Sequence, residues 1–404
     1  MSTSWLDITD DAAFDAYTLP YGVFSANGEE HRVGVAVGDH VLDLAPLAAV
    51  SAVDGAHVFA QPSLNPFMAL GPDAWRAVRG WVTELVTEEP NRDLVEPHLI
   101  PLTRATMHQP FVVADYVDFY SSQAHAENMG KIFRPDSPAL PPAWRHLPIG
   151  YHGRAGTVVV SGSDVVRPSG LRTMGDGVEY GPSTRLDIEP EVGFVVGTGS
   201  QLGSPVSVAE FTDHVFGLVL VNDWSARDIQ KFEAMPLGPF LGKSFATSLS
   251  PWVVPLAALE HARIDPPTRD PAPAAYLRDA EPWGLDLRLE VEWNGTVVSR
   301  PAFADMYWTP AQQLAHLTAN GASVRTGDLY ASGTVSGPGV DQRGSFIELT
   351  WNGTEPVTLD DGSTRAFLED GDTVTIRAEA PGPNGTRLKL GAVTGTIVPA
   401  PSRH

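Results

Sequence analysis

The stretch Val215-Phe216-Gly217-Leu218-Val219-Leu220-Val221-Asn222-Asp223-Trp224-Ser225-Ala226-Arg227-Asp228-Ile229-Gln230 decides how this chain reads. Residues 215–221 form a nearly unbroken apolar run, as in a buried strand, and the run ends in an acid, Asp223. Arg227 and Gln230 follow within two helical turns. The Gly/Pro-rich segment Gly238-Pro239-Phe240-Leu241-Gly242 then delivers Lys243. A carboxylate, a guanidinium, an amide and an ammonium thus gather at one strand end. Burying them is costly unless the charges are paired or hold a metal, so the segment predicts a functional site.

The rest of the sequence sets bounds on that site. The chain has 404 residues, enough for two or three domains and a sizeable core. It is 43% hydrophobic and 19% charged, which marks a globular protein. Its 38 Gly and 35 Pro favour turns over long helices, so the expected class is mostly β with some α. A formal charge of -22 argues against a nucleic-acid or anionic membrane partner. The same charge repels anionic small molecules, so such a ligand needs local cations. With no cysteine, disulfides, zinc thiolates and Cys nucleophiles are excluded. The first residues lack the basic and apolar regions of a signal peptide, and no apolar run approaches a membrane span. The expectation is a soluble, cytoplasmic protein.

Short hairpins are predicted near the start. Tyr21-Gly-Val-Phe-Ser leads into the turn Ala26-Asn27-Gly28, followed by Arg32-Val-Gly-Val-Ala-Val-Gly-Asp and Val41-Leu-Asp-Leu. Helical spacing of Trp75, Val78, Trp81, Val82 and Leu85 predicts a helix over 73–86 after Pro72. Residues 90–101 read as a boundary, giving a small N-terminal β-domain over 1–110 and a larger domain over 111–404. Leu285-Asp-Leu-Arg-Leu-Glu-Val-Glu-Trp alternates as a half-buried strand and runs into Asn294-Gly295, a hairpin signal. Glu348-Leu-Thr-Trp-Asn-Gly-Thr is expected to repeat the device. The Asn-Gly-Thr triplets at Asn294, Asn352 and Asn384 read as turns and not as glycosylation sites.

Two glycine-rich segments imitate nucleotide loops. Gly197-Thr-Gly199-Ser-Gln-Leu-Gly203 has its third glycine one residue late and lacks strand–helix alternation, so a hairpin turn is expected. Gly238 to Ser244 ends in Gly-Lys-Ser, but its first glycine is misplaced and Pro239 lies inside it.

In Leu186-Asp-Ile-Glu189-Pro190-Glu191-Val-Gly-Phe-Val-Val, period-two geometry puts Glu189 and Glu191 on one face. Their mutual repulsion is removed by a divalent cation. Pro190 between them suggests an edge strand or bulge. Asp118-Phe-Tyr-Ser-Ser-Gln-Ala-His125 supplies another acid. Ser121 or Ser122 could cap a helix there, with His125 in its first turn or so. Asp118, Glu189, Glu191 and Asp223 together make an all-oxygen ligand set, suited to Ca²⁺ or Mg²⁺ rather than zinc or copper.

These motifs, with His146-Leu-Pro-Ile-Gly-Tyr151-His-Gly-Arg, Pro236-Leu-Gly-Pro-Phe-Leu-Gly-Lys-Ser and Gly333-Thr-Val-Ser-Gly, resemble the fumarylacetoacetase family in order and spacing. The resemblance implies an SH3-like N-terminal β-barrel domain, a C-terminal β-roll domain and a homodimer. It also implies hydrolysis of a carbon–carbon bond in a β-diketo acid, fumarylacetoacetate, giving fumarate and acetoacetate at the end of tyrosine and phenylalanine breakdown. His125 resembles the general base and Glu348 its orienting partner. Arg227, Gln230 and Lys243 resemble the oxyanion donors. Tyr120, Arg134, Tyr151, Gln230 and Thr334 resemble substrate contacts. Asp118, Glu189, Glu191 and Asp223 resemble the metal ligands, with a second cation near Asp223, Thr247 and the Lys243 main chain. At Ala234 the chain departs from the tyrosine of animal members. The alternatives are an acylpyruvate-type diketo-acid hydrolase and a non-catalytic calcium-stabilised β-rich binding protein. The latter leaves His125 with Glu348, and Lys243, without a purpose.

Overall fold

The computed structural model describes residues 4–402 except 52 and 54. The N-terminal part is a five-stranded antiparallel sheet. Its strands run Leu99–Pro101, His40–Asp43, Arg32–Val37, Tyr21–Ala26 and Ala105–His108 across the sheet. Asn27 and Gly28 both take positive φ in the first hairpin turn, as a tight two-residue connection requires. The helix Pro72–Thr87 starts on its proline and buries Val78, Val82, Leu85 and Val86. The stretch 90–101, expected to be a boundary, ends in a strand of this sheet. Leu99 pairs with Leu42, so the segment is part of the N-terminal structure and no linker.

The central sheet carries the site. Its order is Gly150–His152, Tyr116–Phe119, Leu329–Ala331, Pro190–Val196, Val215–Asp223, Thr247–Leu249 and Val158–Val160, with Val254–Pro255 also pairing to Val215–Asp223. All nine residues of Val215–Asp223 are buried. Leu218 and Leu220 belong to one core, shared with Leu289, Val291 and Ile376 of a C-terminal sheet. Val219 and Val221 belong to another, shared with Val23 and Val35 of the N-terminal sheet. A strand covered on both faces needs apolar residues at every position, which is why the run shows no alternation.

The C-terminal sheet runs Thr296–Ser299, Arg288–Trp293, Thr373–Pro381, Arg387–Val398 and Asp164–Val166. Asn294-Gly295 and Asn384-Gly385 make its tight turns, all four residues at positive φ. The third triplet differs from expectation. Residues Phe346–Leu349 form a short helix, and Asn352 lies in the turn after it, so no hairpin forms there. Ser345 caps that helix and Glu348 returns to the cap, a competing local signal in the same residues. Pro190 also departs from expectation. It opens a strand in the middle of the sheet, where the first position needs no ladder donor. Residues 197–203 begin a longer connection that includes the helix Phe211–His214 and make no hairpin turn.

Candidate active site

Three strand ends bring the acids together. Asp118 pairs in register with Ala331, Glu191 with Val221, and Asp223 with Thr247. Asp118, Glu189, Glu191 and Asp223 each offer an oxygen within 4.8 Å of the others, and all four residues are buried. Asp118 Oδ1 and both carboxylate oxygens of Glu191 have no hydrogen-bond partner. Burial, reinforced by the neighbouring carboxylates, pushes Asp118 and Glu191 well above the ordinary carboxylate range. Asp223 rises as well, chiefly through burial and against the pull of Lys243. Glu189 moves the other way. Burial opposes its ionisation, but Lys243 and Arg227 more than offset that. Orphaned hard oxygens with excess negative charge fit a divalent cation, which would satisfy both deficits.

Two cations brace the cluster. Lys243 Nζ donates to Glu189 Oε2, and to Asp223 Oδ2 at 2.7 Å. Arg227 places Nη1 2.8 Å from Glu189 Oε1 and Nε 2.8 Å from Asp187 Oδ2. Its Nη2 is buried with no partner, a donor held ready for another acceptor. Gln230 Oε1 accepts from Arg227 Nη1 at 3.3 Å. Gly242 permits this crowding, because a Cβ there would lie 2.7 Å from the Gln230 backbone nitrogen. Thr247 Oγ1 donates to Asp223 Oδ1 at 2.7 Å, and Tyr151 Oη to Asp223 Oδ2 at 3.3 Å.

Opposite the acids lies a histidine–carboxylate pair. Ser122 caps the helix Gln123–Phe133, accepting from the His125 N–H, which sets His125 in the first turn. His125 Nδ1 is 2.7 Å from Glu348 Oε2, and its Nε2 is 3.9 Å from Glu189 Oε1. Glu348 also accepts from Asn128 Nδ2, Ser336 Oγ and Ser345 Oγ at 3.0, 3.0 and 2.6 Å. Burial alone would raise Glu348, but His125, Ser345 and Asn128 bring its carboxyl down to about 2. An ionised partner on Nδ1 leaves Nε2 facing the acid cluster.

Both groups open on one cavity of about 620 Å³. Asp118, Tyr120, His125, Arg134, Tyr151, Glu189, Arg227, Gln230, Ala234, Lys243 and Thr334 line it, with Met129, Phe133, Ile149, Met235 and Leu237 as its apolar wall. Thr334 Oγ1 is buried and unpartnered. Gly333, at φ +79°, places it there. A Cβ on residue 333 would sit 2.2 Å from the Phe119 carbonyl oxygen. Glu191 and Glu348 do not line this cavity themselves. Asp223 and Thr247 line a smaller neighbouring cavity of about 140 Å³.

Other residues were not singled out from sequence. Asp187 is buried and bonds Arg227, yet period-two spacing from Glu189 was a signal for it. Lys231, next to Gln230, lines the same cavity as Arg134. Asn128 lies one helical turn after His125, but nothing in that spacing tied it to Glu348.

A family model described as fumarylacetoacetate (FAA) hydrolase C-terminal matches residues 115–398, and one described as fumarylacetoacetase N-terminal matches residues 17–110. The fumarylacetoacetase of Homo sapiens is 46% identical over 415 residues, spanning 98% of this chain and 99% of that protein. Those of Arabidopsis thaliana and Caenorhabditis elegans are 44% and 43% identical, again over 98% of this chain and 99% of each relative. A fumarylacetoacetate hydrolase structure from psychrophilic Exiguobacterium antarcticum shares the fold at TM-score 0.56 and 16% identity, over 94% of this chain and 99% of that one. A maleylpyruvate hydrolase from Sphingobium shares it at TM-score 0.53 and 14% identity, over 95% of this chain and 100% of that one.

Proposed function

The chain belongs to the fumarylacetoacetase family, and on that premise we propose that it is a hydrolase that cleaves 4-fumarylacetoacetate with water to fumarate and acetoacetate. The observation that carries this reading is the His125–Glu348 pair facing the carboxylate cluster across one cavity.

His125 Nε2 takes a proton from water, while Glu348 holds Nδ1–H and stabilises the imidazolium. The water oxygen adds to the fumaryl carbonyl carbon. The carbon–carbon bond to the acetoacetyl methylene then breaks, its electron pair leaves with acetoacetate, and a proton returns to that carbon. Arg227, Gln230 and Lys243 are the donors for the carbonyl oxygen as it gains charge. One such donor is worth about 3–4 kcal/mol in comparable sites. Tyr120, Tyr151, Gln230 and Thr334 orient the substrate, and Arg134 pairs with one of its carboxylates. A divalent cation, Ca²⁺ or Mg²⁺, held by Asp118, Glu189, Glu191 and Asp223 would supply the positive charge that polarises the diketone and makes carbon a feasible leaving group. A second cation is assigned to Asp223, Thr247 and the Lys243 main chain.

The antiparallel order of the five N-terminal strands supports an SH3-like barrel, and the two packed C-terminal sheets support a β-roll, as domains over 1–110 and 111–404. A homodimer is supported by exposed apolar side chains on one hairpin, Leu171 and Val178, and on the nearby loop, Met235 and Leu237. The described residues include no helix long and apolar enough to cross a membrane. We assign the enzyme to the cytoplasm, in tyrosine and phenylalanine catabolism. The test is the loss of fumarylacetoacetate absorbance with purified protein, with and without a chelator. Absence of turnover in metal-replete protein would sink the reading.

A further inference from the structure

Asp187 is fully buried and saturates its carboxylate with four donors. Its Oδ1 accepts from the N–H groups of Ile188 at 2.8 Å and Phe346 at 2.7 Å. Its Oδ2 accepts from Arg227 Nε at 2.8 Å and the Ile347 N–H at 3.1 Å. An ionised carboxylate offers about four acceptor positions, so none is left over. The partners come from two separate parts of the site. Arg227 opens the helix that carries Gln230, lines the cavity, and has a buried Nη2 with no partner. Phe346 and Ile347 open the helix that carries Glu348, and Glu348 holds His125. Asp187 itself touches neither the cavity nor His125.

We propose that Asp187 is a positioning residue: one carboxylate sets the register between the Arg227 guanidinium and the Glu348-bearing helix, and so between oxyanion donor and general base. The inference rests on the hydrolase reading above. Donor and base must address the same carbonyl from fixed directions, and a misplacement of about 1 Å costs on the order of 10²-fold in rate. Bulk packing cannot replace this link, because each bond from Asp187 is directional and three of the four end on backbone N–H groups, two of them on the Glu348-bearing helix.

The test is Asp187→Asn. The amide oxygen can still accept from Ile188 and Phe346, but its NH₂ then meets the donors of Arg227 and Ile347. The expected result is a folded protein whose affinity for Mg²⁺ or Ca²⁺, by calorimetry, stays within about threefold, whose KM changes by no more than about threefold, and whose kcat falls about 10–100-fold. In an Arg227→Lys background, where one ammonium replaces the fork, the same substitution should cost no more than about threefold further. Unchanged kcat in Asp187→Asn, or penalties that multiply in the double variant, would overturn the proposal. Amide exchange decides it even if Asp187→Asn does not fold. Arg227→Lys should speed exchange at Phe346 and Ile347 about tenfold, and unaltered exchange there refutes the coupling. Failure of the parent enzyme to hydrolyse fumarylacetoacetate would refute the hydrolase reading instead and leave the exchange result standing.

Discussion

His125 and Glu348 stand 223 positions apart in the chain and meet at 2.7 Å. The contact joins the first turn of one helix, capped by Ser122, to the first turn of another, where the Ser345 N–H and Oγ both donate to Glu348 Oε2. The base is therefore held by a cap at its own helix start, by serine donors on its partner, and by one buried hydrogen bond between the two.

His125→Ala should lower kcat by about 10²–10⁴-fold while metal affinity stays near that of the parent. Steady-state kinetics beside a metal titration checks this. Near-normal turnover by the folded variant would remove His125 from the mechanism.

Glu348 gives a pH signature. Its folded-state carboxyl is lowered to about 2 from the ordinary 4.5, so the stability it contributes is complete above about pH 4.5 and is lost as pH falls toward 2. The size is on the order of 3 kcal/mol. Urea melts of the parent and Glu348→Gln should differ most above pH 5 and converge in acid. A gap that widens on acidification contradicts the assignment.

The acid cluster predicts a crossover. Asp118, Glu191 and Asp223 are raised by burial, so in metal-free protein their ionisation opposes folding as pH rises above the ordinary carboxylate range. Glu191→Gln should therefore raise the Tm of metal-free protein at neutral pH, lower that of metal-loaded protein, and weaken metal binding at least about tenfold. Melts with and without added metal decide it, and a lower Tm in both states argues against a cation at Glu191.

Ala234 lines the cavity, at the position where the family resemblance implies a tyrosine in animal members. Ala234→Tyr should lower KM for fumarylacetoacetate about threefold to tenfold with kcat little changed, the value of roughly one hydrogen bond. A raised KM would mean that this chain needs the space.

What could be read from the sequence follows physical cost. The apolar run over 215–221 and the acid at its end were legible because a doubly covered strand tolerates nothing polar, and Asp223 breaks that rule. Glu189 and Glu191 were legible by period-two spacing. The partnership of His125 with Glu348 came only with the family resemblance, since no local pattern spans such a separation. Asp187 obeys the spacing of Glu189 but carries no signal of its own between Leu186 and Ile188. The helix Phe346–Leu349 is hidden because Trp351-Asn352-Gly353 imitates a hairpin, although Ser345 and Glu348 have the spacing of a helix start. Pro190 signals an edge strand or a bulge, and a central first position, which also spares its missing N–H, leaves the same mark in sequence.

The strand Val215–Asp223 divides its side chains between two hydrophobic cores, Leu218 and Leu220 in one, Val219 and Val221 in the other. Neither core can melt without uncovering a face of the strand that ends in Asp223. The N-terminal sheet is then no detachable appendage. A chain cut off before residue 111 would leave a bare aliphatic surface prone to clumping, and the intact protein should lose both halves in one cooperative event.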